Sequence, residues 1–296
     1  RNANFGMIGN ELDNVPFAAK PAYVALAGYN KMMTNAEYVD GIEDIKEDNL
    51  TGTRAYRYRR QDGKQVIVLW TEYGAENIAL DLGTDNVEVF DIYTNSIGTM
   101  KSAAGVYNFT STFEPMYIVG DFGKLQRAES TVTVSDGRIR AVKLDAADIV
   151  INDTEGRNLR VEAVGTPTAV ITQNTGIYNG SGRISVETTA DAEDEEPIDI
   201  RIYDGDNLVY YGKLHLIIKD DAVTITYKLG KDKTGAKNRQ VVDVSVTNQC
   251  AGKELTGTVT ADFSLIGGKN EKRTVVGLQP KETKTVSLNI PKSSSY

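Results

Sequence analysis

From Arg54 to Phe122 the chain reads as one short strand after another, each closed by a turn, and this pattern constrains the fold more than any other feature. Arg57, Tyr58 and Arg59 lead into Gln61-Asp62-Gly63-Lys64, after which Val66 to Trp70 run without a polar break. Asp-Gly between two such runs is a hairpin signal, because a type I′ turn needs positive φ at both central residues. Further runs follow at 77–82, 87–93, 105–110 and 115–122, each bounded by Gly, Asn, Asp or Ser. Residues 45–122 are therefore expected to form one antiparallel β-sandwich.

The same signals recur downstream. Residues 123–220 offer strand candidates at 130–134, 139–144, 148–151, 159–163, 169–173, 182–188, 198–204 and 208–218. The turn pairs Asp136-Gly137, Glu155-Gly156 and Asp204-Gly205 fall between them at intervals suited to a sandwich. Residues 221–296 offer 223–228, 241–248, 255–263, 272–276 and 283–290. The expected fold class is mainly β: three consecutive antiparallel sandwiches covering 45–122, 123–220 and 221–296.

Only the start of the chain differs. Asn4 to Gly9 is strand-like, a polar loop runs from Asn10 to Pro16, and Pro21 stands where a helix's first turn tolerates proline. From there Ala25, Leu26, Tyr29 and Met32 or Met33 recur at helical spacing until Thr34-Asn35. A lone strand–loop–helix cannot bury its own helix face, so residues 1–44 read as the tail of something larger. The chain opens Arg1-Asn2-Ala3 without a starting Met or a leader, from which a processed or excised fragment is expected.

Composition narrows the chemistry. The single cysteine, Cys250, rules out an internal disulfide framework and reads as a packed thiol. The single histidine, His215 between Leu214 and Leu216, reads as an outward-facing strand residue. With it, a Ser-His-Asp triad is nearly untenable, and no Gly-x-Ser-x-Gly elbow occurs. The formal net charge is -8. It is unevenly spread: residues 1–220 are acidic, whereas residues 221–296 carry 12 Lys and Arg against 7 Asp and Glu. Those lysines sit in turns without interleaved aromatics, so nucleic acid is not an expected partner. No apolar run approaches the roughly 20 residues of a membrane helix. The acidic cluster Asp191, Glu193 to Glu196 lacks the spacing of a calcium loop and reads as solvated. Neither a metal nor an organic cofactor is expected.

Three separated motifs carry a family resemblance. Asn4-Phe5-Gly6-Met7-Ile8, a loop, and then Ala19-Lys20-Pro21-Ala22-Tyr23-Val24-Ala25-Leu26 look like the last β/α unit of a (β/α)₈-barrel glycoside hydrolase. The hairpin from Tyr58 to Trp70 and the closing run Pro115 to Gly120 resemble the small β-sandwich that follows such barrels. Val244 to Asn248, Gly257 to Val259 and Leu278 to Pro291 resemble immunoglobulin-like modules appended to secreted bacterial carbohydrate enzymes. The resemblance implies a non-catalytic C-terminal portion of a secreted or cell-surface polysaccharide-degrading enzyme, with an upstream catalytic barrel as partner. A whole barrel takes roughly 250 residues and places its site at the ends of several strands. The paired carboxyl groups of glycosidase chemistry would lie before Arg1, so no catalytic residue is carried over. Asn10, Glu11 and Asp13 would rim the substrate pocket of an intact barrel, or simply be solvated loop residues.

Carbohydrate contact is the one activity the β-units could hold themselves, since flat aromatic rings stack on sugar faces. Trp70, Tyr73, Tyr93, Tyr107 and Tyr178 are the candidates, with Tyr210 and Tyr211 further along. Trp70 has a competing reading as a core aromatic after Val66 to Leu69, whereas Tyr178 sits among Asn174, Thr175, Gly176, Asn179 and Gly180 as a loop residue. The alternative is a stand-alone carbohydrate-binding module or a cell-surface adhesion or spacer protein. The helix discriminates. A barrel remnant predicts an orphan apolar face on residues 21–33, and a self-contained protein predicts none.

Overall fold

The computed structural model describes residues 19–43, 52–72, 74–135, 138–231, 240–264 and 270–290. The run 4–8, Asn10, Glu11, Asp13, Tyr73 and the Asp136-Gly137 turn lie outside the described residues. The expected mainly-β class holds.

The helix comes first as α1 (Pro21–Met33), with proline in its first turn. It stops where the Thr34 N–H returns to the Asn30 carbonyl at 2.9 Å and Asn35 takes a left-handed φ of 55°. Next come β1 (Glu37–Glu43), β2 (Thr53–Arg59), β3 (Gln65–Thr71), β4 (Ala75–Asp81), β5 (Asn86–Phe90), β6 (Ser96–Lys101), β7 (Val106–Thr112) and β8 (Met116–Gly120). The strands β1-β2-β3-β8-β5-β6 are neighbours in that order, and β4 pairs β7. β3 is a continuous apolar run because both its faces are covered. Val66 and Val68 pack under Met32 of α1, while Ile67 and Leu69 enter a core with Ile78, Leu80, Phe109 and Ile118. α1 comes so close that a Cβ on Gly28 would lie 3.1 Å from the Ile92 carbonyl oxygen. β1 and β6 were not anticipated. Their Gly41 and Gly98 and scattered charges dilute the alternation on which strand prediction rests.

The middle stretch contributes β9 (Gln126–Ala128), β10 (Val132–Val134), β11 (Arg138–Val142), β12 (Ala146–Asp153), β13 (Arg160–Val164), β14 (Ala169–Tyr178), β15 (Ser181–Thr188), β16 (Glu195–Asp204) and β17 (Asn207–Asp220). One sheet, β10-β12-β15-β14, lies over the strands β11, β13, β16 and β17. Between them Ile149, Ile151, Ile184 and Val186 meet Ile198, Ile200, Ile202, Leu214 and Leu216, all fully buried.

β17 departs from the antiparallel expectation. It pairs antiparallel with β16, but its other edge runs parallel to β6 and β7 in its first half and to β11 in its second. Parallel pairing needs a crossover of a dozen or more residues, and here the intervening chain supplies it. Successive strand side chains point to opposite faces. Accordingly Tyr210 enters the middle core and Tyr211 the preceding one. Burial pushes both phenols upward in pKa. Asn108 stitches the same junction: its Oδ1 accepts from the Thr131 N–H at 3.0 Å and its Nδ2 donates to Thr131 Oγ1 at 3.2 Å.

Two local readings are corrected here. His215 points away from the core that Leu214 and Leu216 enter, but it is buried rather than exposed, with Nδ1 3.0 Å from Glu195 Oε1 and its ring 5.0 Å from that of Phe113. Glu196 is also buried rather than solvated. It accepts from the hydroxyls of Thr166 and Thr168, each at 2.6 Å, and from the Glu193 N–H at 2.9 Å. In both cases the strand β16 begins earlier than Pro197 suggests and carries the acidic cluster onto the sheet.

The last stretch forms β18 (Val223–Lys231), β19 (Gln240–Asn248), β20 (Leu255–Ala261), β21 (Glu271–Leu278) and β22 (Thr283–Asn289). β18-β19-β22 make one sheet and β20-β21 the other, with Val244, Val246, Val275, Leu278 and Leu288 between them. Asn248, fully buried, braces the end of this layer pair: Nδ2 donates to the carbonyls of Lys253 (2.8 Å) and Leu278 (2.9 Å), and Oδ1 accepts from the Cys250 N–H at 2.8 Å. Cys250 is a packed thiol with its pKa raised by burial.

Candidate functional site

β14 and β15 form a hairpin in which Tyr178 pairs Ser181 across a two-residue loop. The loop is Asn179 (φ 51°) and Gly180 (φ 78°), a sequence suited to a turn that needs positive φ twice. Gly180 is obligatory here, since a Cβ would lie 2.5 Å from the Asp153 carbonyl oxygen. Four residues earlier the pairing slips between Asn174 and Ile177, with Gly176 at φ 64°. This bulge bends β14 toward the start of β13, where Leu159 and Ile177 exchange both backbone hydrogen bonds, at 3.0 and 2.9 Å.

The bend opens a groove of about 390 Å³ between the hairpin and residues 158–161. Tyr178 forms one wall and is 67% exposed. Asn158, Arg160, Asn174 and Thr175 supply its polar groups. Each is held in place. Asn158 Oδ1 accepts from the Asn179 N–H at 3.0 Å, and Asn174 Nδ2 donates to the Val161 carbonyl at 2.7 Å. The Arg160 guanidinium lies 4.1 Å from the Tyr203 ring centroid and pairs with Glu162. An exposed ring beside fixed amides and a guanidinium suits a ligand with one apolar face and several hydroxyls. The groove is open to solvent along Tyr178.

The other aromatic candidates do not join it. Tyr107 is 1% exposed, in the core of the first stretch, with its hydroxyl donating to the Thr84 carbonyl at 2.8 Å. Burial pushes its pKa up to about 12. It has no free face for a sugar because β7 is covered on both sides. Tyr210 and Tyr211 are buried in the same way. Trp70 is half-buried, 5.3 Å from the Tyr56 ring, on the side of β3 that carries α1. Tyr93, also half-buried, sits in the turn that touches Gly28 of the helix. Tyr73, Asn10, Glu11 and Asp13 lie outside the described residues. Asn158, Arg160 and Asn174 were not singled out from the sequence. The period ends the strand at 173 and puts Tyr178 in a loop, whereas β14 continues through Tyr178 with Gly176 at its bulge.

A second surface feature lies on α1. Gly28 and Met32 are its buried residues. Tyr23 and Leu26, three residues apart and so on one side, are 44% and 42% exposed, while Tyr29 lies toward Tyr58 and Tyr117. Among the described residues no group of His, Cys, Asp and Glu could hold a metal ion, and no helix is long and apolar enough to cross a membrane. Comparison with family models, with curated proteins and with solved structures returned no match to this chain.

Proposed function

We propose that this chain is the non-catalytic C-terminal portion of a secreted polysaccharide-degrading glycoside hydrolase. In this reading residues 1–44 end a (β/α)₈ barrel, and three sandwich domains follow, the last two immunoglobulin-like. The supporting observation is α1. It is already seated on β3 and β8 through Met32, yet Tyr23 and Leu26 stay exposed on another side. A helix that is apolar on two sides is built to lie between two partners, and a preceding barrel is the second. The β-units then act as support, spacer and docking surface for the catalytic part, whose acid and base carboxyl groups lie in the barrel.

The test is the mass of the native polypeptide in its source, by blotting with an antibody raised against this chain. A species larger by roughly 250 residues or more fits a barrel upstream. Its Tyr23→Glu/Leu26→Glu variant is then expected to lose thermal stability, while the same change in the 32.3 kDa chain is silent. A native species of 32.3 kDa would sink the reading.

The Tyr178 groove favours a second reading, a carbohydrate-binding module in its own right. Retarded migration of this chain through gels containing soluble polysaccharide, abolished by Tyr178→Ala, is its expected signature.

A further inference from the structure

The side chains beside Tyr178 have polar groups of one kind left to offer. The Thr175 hydroxyl has the carbonyls of Gly176 and Arg183 to donate to, each at 3.1 Å, and accepts from the Arg183 N–H at 3.0 Å. Asn174 donates to the Val161 carbonyl and accepts from the Gly176 N–H at 3.1 Å. Asn158 spends its Oδ1 on the Asn179 N–H, which leaves its Nδ2 donors. Arg160 is the only charged side chain that lines the groove among the described residues. Val161 enters the middle core, so Arg160 stands on the outer face of β13, in register with Tyr203 of β16. Its guanidinium lies over that ring and gives Nη1 to Glu162, which does not line the groove. Among the described residues nothing accepts from Nε or Nη2. An ion pair as exposed as Arg160–Glu162 contributes little and leaves the cation available.

We infer that this groove, taken as the carbohydrate site proposed above, selects an acidic sugar: a uronate whose ring lies against Tyr178 and whose carboxylate meets the Nε–Nη2 edge of Arg160. A guanidinium presents two parallel N–H groups on that edge, and they match the two oxygens of a carboxylate. Stacking on Tyr203 fixes the plane of the fork, so little side-chain freedom is lost on binding. Asn158 Nδ2 adds a donor for a hydroxyl or ring oxygen. A neutral sugar would use the Tyr178 ring and the amide but leave the Arg160 edge to water. The cation runs against the local composition, since residues 1–220 are acidic. An anion that reaches the groove nevertheless meets no carboxylate among its lining residues. At about 390 Å³ the groove falls within the roughly 300–1,000 Å³ of small-ligand sites.

Titration calorimetry of the 32.3 kDa chain tests this. The probes are oligogalacturonate and oligomannuronate, each as the free acid and as its methyl ester, beside neutral cello- and xylo-oligosaccharides. A free uronate is expected to bind about tenfold or more tighter than its ester and than the neutral oligomers, and to lose that margin as salt is raised. Arg160→Gln closes the gap between acid and ester. Arg160→Lys keeps part of it, because the charge remains without the fork. Tyr178→Ala abolishes binding of both forms. The comparison of acid with ester needs no variant, so it decides even where Arg160→Gln fails to fold. Binding of the ester or the neutral oligomers as tight as that of both acids overturns the selection of an acidic sugar and leaves the carbohydrate site standing. So does a preference for acid that survives Arg160→Gln and Tyr178→Ala, which would be counter-charge binding to the basic residues 221–296. No binding of any oligosaccharide would sink the carbohydrate reading itself, and this inference with it.

Discussion

The middle stretch and the last stretch are written in the same alternation, yet they end differently. In β12 every second residue is buried, and Ile149 and Ile151 meet a second sheet that covers them fully. In β18 the alternate residues Ile225, Tyr227 and Leu229 are just as apolar and stand largely in solvent. Alternation specifies which side of a strand is apolar. It does not specify what covers that side. In the middle stretch the cover is the β16–β17 pair, a long-range partner that also reaches into the neighbouring core. The last stretch has only β20 and β21 to offer, and they shield β19 and β22 better than β18.

This contrast can be broken most sharply in the middle core. Ile200→Ala, at a fully buried position, removes three carbons from a filled interior and is expected to cost about 2–5 kcal/mol. Urea unfolding followed by tyrosine fluorescence reads this directly, and an unchanged midpoint would mean the core is loosely packed. Asn248→Ala comes next. It leaves the buried Cys250 N–H and the Leu278 carbonyl without partners, at about 1–3 kcal/mol. The loss should fall on the last stretch alone, visible as faster amide exchange in β19 and β21 with β12 unaffected.

Acid offers a smaller, graded test. Burial raises the Glu196 carboxyl, but the hydrogen bonds from Thr166, Thr168 and the Glu193 N–H outweigh it, and its pKa is lowered from the ordinary 4.5. A carboxyl depressed in the folded state contributes stability that is present above its unfolded pKa and is lost as pH falls through the folded one. The middle stretch should therefore weaken progressively below about pH 4.5. Glu196→Gln should flatten that part of the profile. A profile identical in the variant would remove Glu196 from the account. Least of all should Ile225→Ala and Tyr178→Ala matter, each within about 0.5 kcal/mol. For Ile225→Ala that smallness is the other half of the comparison with Ile200.

Strand positions were largely legible. The run 139–144 and all the strands of the last stretch lie where the period puts them. A hairpin does form around Asp62-Gly63, but only Gly63 takes positive φ and residues 60–64 connect the strands, so the turn is not the two-residue type I′ expected. The candidate site was legible at one residue only. Tyr178 could be located beside a turn, but Asn158 and Arg160 reach it through a bulge whose bend depends on β13. Tyr107 shows the converse. Its neighbourhood of Gly105, Asn108 and Thr110 resembles that of an exposed strand, and it is buried because another strand and a loop close over it.

Local rules thus determined the mainly-β class, the turns at Asp62-Gly63 and Asn179-Gly180, and the amphipathic helix, because φ preferences and side-chain period act within a few residues. Tertiary structure alone decided that β17 would serve two cores at once, that Glu196 and His215 would be covered, and that β18 would have one neighbouring strand among the described residues. Each of these is a question of what lies across from a residue, and strands some hundred positions apart meet only once the chain has folded.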